Sequence, residues 1–200
     1  MKDNQLTKHL KKAVSKFSTR PMLQCIQYSN DGNLYATDSH VAIKVSEFHS
    51  NPTDFILNIF TMIPQDGKYP DVGKFFEFEN ISCEINVHIG TLLKSVRPFM
   101  TKTSFSNLIK MDIKNKAVVL TKDGWPDYEI KMPLEDCEGE MLLSVNVDYL
   151  INALEFMNDA INEKKFNNGC AIVKFTTKNR PFKFVFEKYE YLITPVRTDF

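Results

Sequence analysis

No stretch of this chain approaches the ~20 consecutive apolar residues that crossing a bilayer requires. The opening residues Met1-Lys2-Asp3-Asn4-Gln5 lack the apolar core of a secretory signal. An intracellular, cytoplasmic protein with no membrane partner is therefore expected. Cysteine is scarce: Cys25, Cys83, Cys137 and Cys170 are widely spaced and no two form C-x-x-C. That spacing suits reduced thiols in strands better than a disulfide framework or a zinc site. The histidines are equally scattered, so no metal is expected. Glycine is sparse, with seven residues, and none builds a phosphate-cradling loop; G-x-S-x-G and H-E-x-x-H are also missing. Asp38-Ser39-His40 does not make a hydrolase, because neighbours at a turn splay apart whereas a triad is assembled from distant segments. No catalytic residue and no cofactor are expected. Net charge is missing as well, 25 basic residues balancing 25 acidic ones. A zero total leaves open how the charge is distributed, and the local face governs attraction to phosphates.

What is present is a repeat. Met141 to Val145 reads as a strand, and Asn146 can cap a helix by accepting a hydrogen bond from a free first-turn N–H. Leu150, Ala153, Leu154, Met157 and Ile161 then recur at helical spacing, with Asp148, Asn152, Glu155, Asp159 and Asn162 opposite. Asn167-Asn168-Gly169 ends that helix. Strands follow at Cys170–Thr176, Phe182–Glu187 and Tyr189–Val196. The same order of strand, helix and three strands occurs upstream. There Ile81–Ile89 leads into a helix carrying Leu92, Val96 and Phe99, which Pro98 should kink or stop. Leu108–Lys114, Ala117–Lys122 and Tyr128–Met132 complete that unit, and Asp123-Gly124 joins its last two strands. A third copy without its leading strand opens the chain: a helix from about Gln5 to Phe17, then strands Met22–Ser29, Asn33–Thr37 and Val41–Val45. An internal repeat of this length outranks any single motif. Between Glu47 and Phe76 there is no room for another helix and three strands, and Glu135 to Glu140 reads as an acidic loop.

Charge is concentrated at the N-terminus. Lys8, Lys11, Lys12 and Lys16 project from the first helix opposite Leu6, Leu10, Ala13, Val14 and Phe17. With Arg20, Lys94 and Arg97 they form the candidate phosphate-facing set on the first two helices. The third helix is acidic on its outward side.

Four segments together resemble the bacterial DNA polymerase III beta sliding clamp family in a shortened, phage-type form. Ala36-Thr37-Asp38-Ser39-His40 resembles its A-T-D-G-H turn, and Lys68-Tyr69-Pro70-Asp71 its Y/F-P-D connector. Val145 to Leu150 is similar to the helix entry of its last domain, and Tyr191 to Arg197 to its closing Y-x-x-x-P-x-R. Ser39 and Val41 stand where the family usually has Gly and Arg. The resemblance implies an α+β fold of clamp-like repeats, with antiparallel sheets outside and helices on one face. It divides the chain into a partial domain, 1–76, with one repeat unit, and a complete domain, 77–200, with two. It also implies a pocket for a short extended peptide. Thr37, Ser39, His40, Val41 and Ala42 would contribute from the turn, Pro70, Lys74 and Phe75 from the connector, and Leu192, Thr194, Pro195, Val196 and Arg197 from the end of the chain. The implied function is a non-enzymatic processivity factor that tethers a polymerase or other replication protein to duplex DNA, and the implied state is a homo-oligomer. A family ring has twelve units, so closure would take four such chains, or two copies could share a domain through their first units. The alternative is a clamp-like interaction module, a regulator or inhibitor of replication, that encircles nothing.

Overall fold

A computed structural model of the chain describes residues 1–100, 107–122, 128–164 and 167–198. The turn expected at Asp123-Gly124 and the final residues Asp199 and Phe200 lie outside the described residues.

The first helix, α1 (Asp3–Ala13), buries Leu6, His9, Leu10 and Ala13. It stops short of the expected Phe17. Val14 turns extended (φ −106°, ψ 158°), and the Ser15 N–H donates to Leu23 O at 2.7 Å, which pulls the chain out of helical geometry. Lys16 and Arg20 thus lie beyond the helix, and Phe17 is 72% exposed where an inward ring was expected. A 3-10 turn, Pro21–Gln24, takes the place of the strand expected from Met22. Then come β1 (Cys25–Tyr28), β2 (Leu34–Thr37), β3 (Val41–Val45) and β4 (Phe55–Asn58). The second unit is β5 (Cys83–His88), α2 (Ile89–Val96), β6 (Leu108–Lys114), β7 (Ala117–Thr121) and β8 (Glu129–Pro133). Proline 98 acts as expected: α2 ends at Val96 and a 3-10 turn, Arg97–Phe99, carries Pro98. The acidic connector is not all loop. It contains β9 (Asp136–Glu138), because an edge pairing uses backbone groups and needs no apolar side chains. The last unit is β10 (Met141–Asn146), α3 (Val147–Asn162), β11 (Cys170–Phe175), β12 (Phe182–Phe186) and β13 (Tyr189–Ile193). Its helix is capped as the sequence suggests: Asn146 Oδ1 accepts from the N–H groups of Asp148 and Tyr149 at 2.9 and 3.4 Å.

Among the described residues the fold is α+β, with antiparallel sheets and three α-helices. One sheet runs β4-β1-β2-β3-β13-β12-β11-β5-β9, the other β10-β6-β7-β8. The two complete units exchange their leading strands, β5 pairing with β11 and β10 with β6. In the first unit β4 takes the equivalent place beside β1. The closing strands β3 and β13 pair from Val45↔Tyr189 to Val41↔Ile193, so one sheet continues from the first unit into the last.

Helix α3 lies between the other two and anchors the core. Leu150, Leu154, Phe156 and Met157 are fully buried, Phe156 meeting Tyr191 at 5.7 Å between ring centroids. Burying side chains of this size contributes ~2–3 kcal/mol each relative to exposure. The acidic side of α3 does not simply face solvent. Asp159 Oδ2 lies 2.9 Å from His9 Nε2, and Glu155 pairs with Lys12 at 2.7 Å and Arg97 at 3.9 Å.

The His9 ring makes stability depend on pH. Burial lowers its pKa, with the hydrogen bond and charge of Asp159 opposing. The unfolded histidine therefore takes up a proton near its ordinary value of 6.5 before the folded one does. Stability is present above that value and falls as the pH drops below it. Melting temperatures should decline from about pH 7 to pH 5, and His9→Gln should flatten the decline. An unchanged slope in that variant would remove His9 from the account.

Candidate functional site

The site is built on one turn. Between β2 and β3, Asp38 Oδ1 accepts from the N–H groups of His40 and Val41 at 2.8 and 2.9 Å. Thr37 Oγ1 donates to Val41 O at 2.7 Å and accepts from Ser39 N at 3.0 Å. Ser39 is thereby held at φ +81°, a region that L side chains rarely occupy. Glycine there would remove the strain, so Ser39→Gly should stabilise the fold by about 0.5–1 kcal/mol in thermal or denaturant melts. A loss of stability would mean that the Ser39 side chain contributes more than its backbone strain costs.

The connector forms the second wall. Tyr69, Val72 and Phe76 pack on the sheet face away from the helices, against Cys25, Tyr35, Ala42, Ile56 and Leu192. The Tyr69 hydroxyl donates to Cys25 O at 3.1 Å, and burial pushes its phenol far above the ordinary range. This anchoring leaves Pro70 and Phe75 standing out toward the turn; Phe75 is 51% exposed. The third wall is β13 with its extension, fixed to the turn by Thr194 N donating to His40 O at 2.9 Å.

Together these walls enclose an apolar cavity of about 330 Å³. Of the residues expected there, Thr37, Ser39, His40, Val41, Ala42, Pro70, Phe75, Leu192 and Thr194 line it. Leu23, Val72 and Pro181 line it too and were not anticipated. Leu23 lies in the 3-10 turn Pro21–Gln24 and Pro181 follows a hairpin bend, so neither belongs to a motif segment. The remaining four residues sit elsewhere. Lys74 lies in the neighbouring groove and pairs with Asp71 at 3.5 Å. Pro195 is buried, Val196 bridges to Ser144 in β10, and Arg197 is exposed. The cavity offers wide apolar contact with a few hydroxyl and backbone groups at its rim, which suits an extended peptide with apolar anchors.

A second groove, about 710 Å³, opens on the helix side between the end of α1, the same turn and the start of α3. Lys12, Lys16, Phe17, Arg20, His40 and Tyr149 are among its lining residues, and the last two rings stack at 5.9 Å. Lys8, Lys11, Lys16, Arg20, Lys94 and Arg97 are exposed, whereas Lys12 is partly covered by its pairing with Glu155. Arg20 reaches Ser39 Oγ at 3.4 Å. Among the described residues no group of three His, Cys, Asp or Glu side chains is placed to hold a metal ion. No helix among them is long and apolar enough to cross a membrane.

No protein-family model matches the sequence, and no curated protein sequence does. Solved structures do match. The DNA polymerase III beta chain of Streptococcus pneumoniae superposes with a TM-score of 0.77 at 20% identity, over 98% of this chain and 62% of that one. The Bacillus subtilis DNA polymerase sliding clamp gives 0.72 at 20% identity, over 98% and 62%. The Borrelia burgdorferi beta subunit, solved with a natural product, gives 0.79 at 12% identity, over 98% and 62%. The fold is that of the beta sliding clamps, and the chain spans less than two thirds of those proteins' length.

Proposed function

We propose that this clamp-folded chain is a non-enzymatic docking platform of DNA replication, which holds a polymerase or another replication protein by a short extended peptide. The observation that carries the reading is the apolar cavity at the junction of β3, the connector and β13, where three distant segments meet around about 330 Å³. The division into a half domain, 1–76, and a complete domain, 77–200, belongs to the same reading. It is supported by the exchange of leading strands within the second part alone. The exposed bases Lys8, Lys11, Lys16, Arg20, Lys94 and Arg97 suit loose contact with duplex phosphates. Such contact would be independent of sequence, and self-association would be needed to surround a duplex. Calorimetric titration with an extended replication-protein peptide carrying apolar anchors should give saturable binding at one site per chain. No heat with any such peptide would defeat the reading.

A second reading has its own support. Glu155 neutralises Lys12 and approaches Arg97 in the middle of the helix face. A face so compensated suits a clamp-like regulator that occupies the same peptides without encircling DNA. A salt-dependent shift of a labelled duplex separates the two, since only the tethering reading requires it.

A further inference from the structure

The connector carries two adjacent phenylalanines, and apolar attraction alone does not decide which of them is buried. Burial is rewarded by area and has no direction. The fold nevertheless sorts the pair. Phe76 sits in the small core under the connector, while Phe75 stands half-exposed in the cavity wall. A slip of one residue that put Phe75 into the core would bring Lys74 to the cavity wall, a charge where the peptide needs apolar contact.

A directional contact fixes the order. Strand β12 turns Phe182 and Phe184 into the main core and Lys183 to the other face, beneath the connector. Lys183 Nζ donates to the Phe76 carbonyl at 2.6 Å and to Glu190 Oε2 at 2.6 Å, and lies 4.9 Å from the centre of the Phe78 ring. The other oxygen of Glu190 holds Lys44 at 3.2 Å, and Lys44 lies 6.0 Å from the centre of the Phe76 ring. Lys174, opposite Lys183 on β11, is drawn away to Glu84 at 3.3 Å. The Lys183 and Glu190 side chains are only 11% and 12% exposed. A charged donor so shielded from water makes a strong and directional bond, and removing it leaves the Phe76 carbonyl short of a donor. Lys183 is not among the residues lining the cavity. Its effect passes through the 3-10 turn Gly73–Phe76, where Phe75 N donates to Val72 O at 3.1 Å, and Val72 and Phe75 both line the cavity.

We propose that Lys183 is the positioning residue of the docking cavity: held by Glu190, it fixes the register of the connector through Phe76 O and so presents Phe75 to the incoming peptide. This role rests on the docking reading, and Lys183 lies outside every motif segment.

Calorimetric titration with an extended replication-protein peptide carrying apolar anchors should show Lys183→Met binding about tenfold or more weaker than the native chain. In a Phe75→Ala background the same change should cost less than about twofold, because the side chain being positioned is already gone. A general loosening of structure would instead lower affinity equally in both backgrounds. Hydrogen exchange reads the connector without any peptide. The Phe75 and Glu77 amides, which donate to Val72 O and Lys74 O, should exchange about tenfold faster in Lys183→Met while β12 and β13 keep their protection. Melting curves establish folding. Should Lys183→Met not fold, the double variant Lys183→Met with Glu190→Gln removes the charge together with its partner and carries the same expectations. Unchanged affinity in Lys183→Met, equal losses in the two backgrounds, or connector amides that exchange as in the native chain would each overturn the proposal. A native chain that takes up no peptide would overturn the docking reading and this role with it, whereas native binding that Lys183→Met leaves intact overturns the role alone.

Discussion

Phe75→Asp is expected to weaken peptide binding about a hundredfold, because docking would bury a carboxylate without a partner at a penalty of ~3 kcal/mol. The position is chosen on structural grounds. Phe75 is half-exposed on the 3-10 turn Gly73–Phe76, whereas its neighbour Phe76 is 3% exposed in the small core beneath the connector. The first substitution should leave the melting temperature nearly unchanged; Phe76→Asp should unfold the connector. Leu192 and Pro195 are poor choices for the same test, since both are buried and a charge there would report on folding. Lys74→Ala serves as the control. Its ammonium pairs with Asp71 outside the cavity, and binding should change by less than about threefold. If Phe75→Asp binds as tightly as the native chain, the cavity is not where the peptide docks.

The second large effect concerns DNA. Reversing Lys8, Lys11, Lys16 and Arg20 to Glu should reduce duplex binding by at least about a hundredfold at moderate salt and flatten its salt dependence. Lys12 is left out deliberately, because it holds α1 to α3 through Glu155 and its reversal would set two carboxylates together. The opposite change is also informative. Glu155→Gln would leave Lys12 and Arg97 less compensated and should strengthen binding severalfold at low salt. Fluorescence anisotropy of a labelled duplex across a salt series reads both. A reversed variant that binds like the native chain would leave the regulator reading in place.

How much of this was legible in the sequence depended on whether side chains or backbone made the decision. Strand β6 was readable residue by residue, since Ile109, Met111 and Ile113 alternate with Lys110, Asp112 and Lys114 and one face is buried. The Asn146 cap and the stop before Pro98 were readable because each follows from one residue's chemistry. The end of α1 was not. Ala13, Val14 and Phe17 continue a helical stripe, and only the remote acceptor Leu23 O makes the chain leave it. Strand β9 was hidden for the same reason, its side chains being acidic and its pairing made through the backbone. In the cavity, motif segments pointed to the turn and the connector. Leu23 and Pro181 come from segments without a motif and arrive there by the pairing of distant strands. The acidic face of α3 was visible as composition, but its pairing with Lys12 and Arg97 needed the helices side by side.

The joining of β3 to β13 also sets the order in which the molecule can be made. On the ribosome the first unit emerges well before the last, and the strand that pairs with β3 comes after every other strand of the two sheets. Until Tyr189–Ile193 has left the exit tunnel, β3 is an open edge on a half-built sheet and Leu192 is missing from the small core under the connector. Contacts this remote in sequence close slowly, because the intervening chain must first be brought together. The nascent first unit would then wait, exposed to chaperones and proteases, while the residues between β3 and β13 are made. The peptide cavity, which needs both strands, comes into being only when synthesis of the sheet is complete.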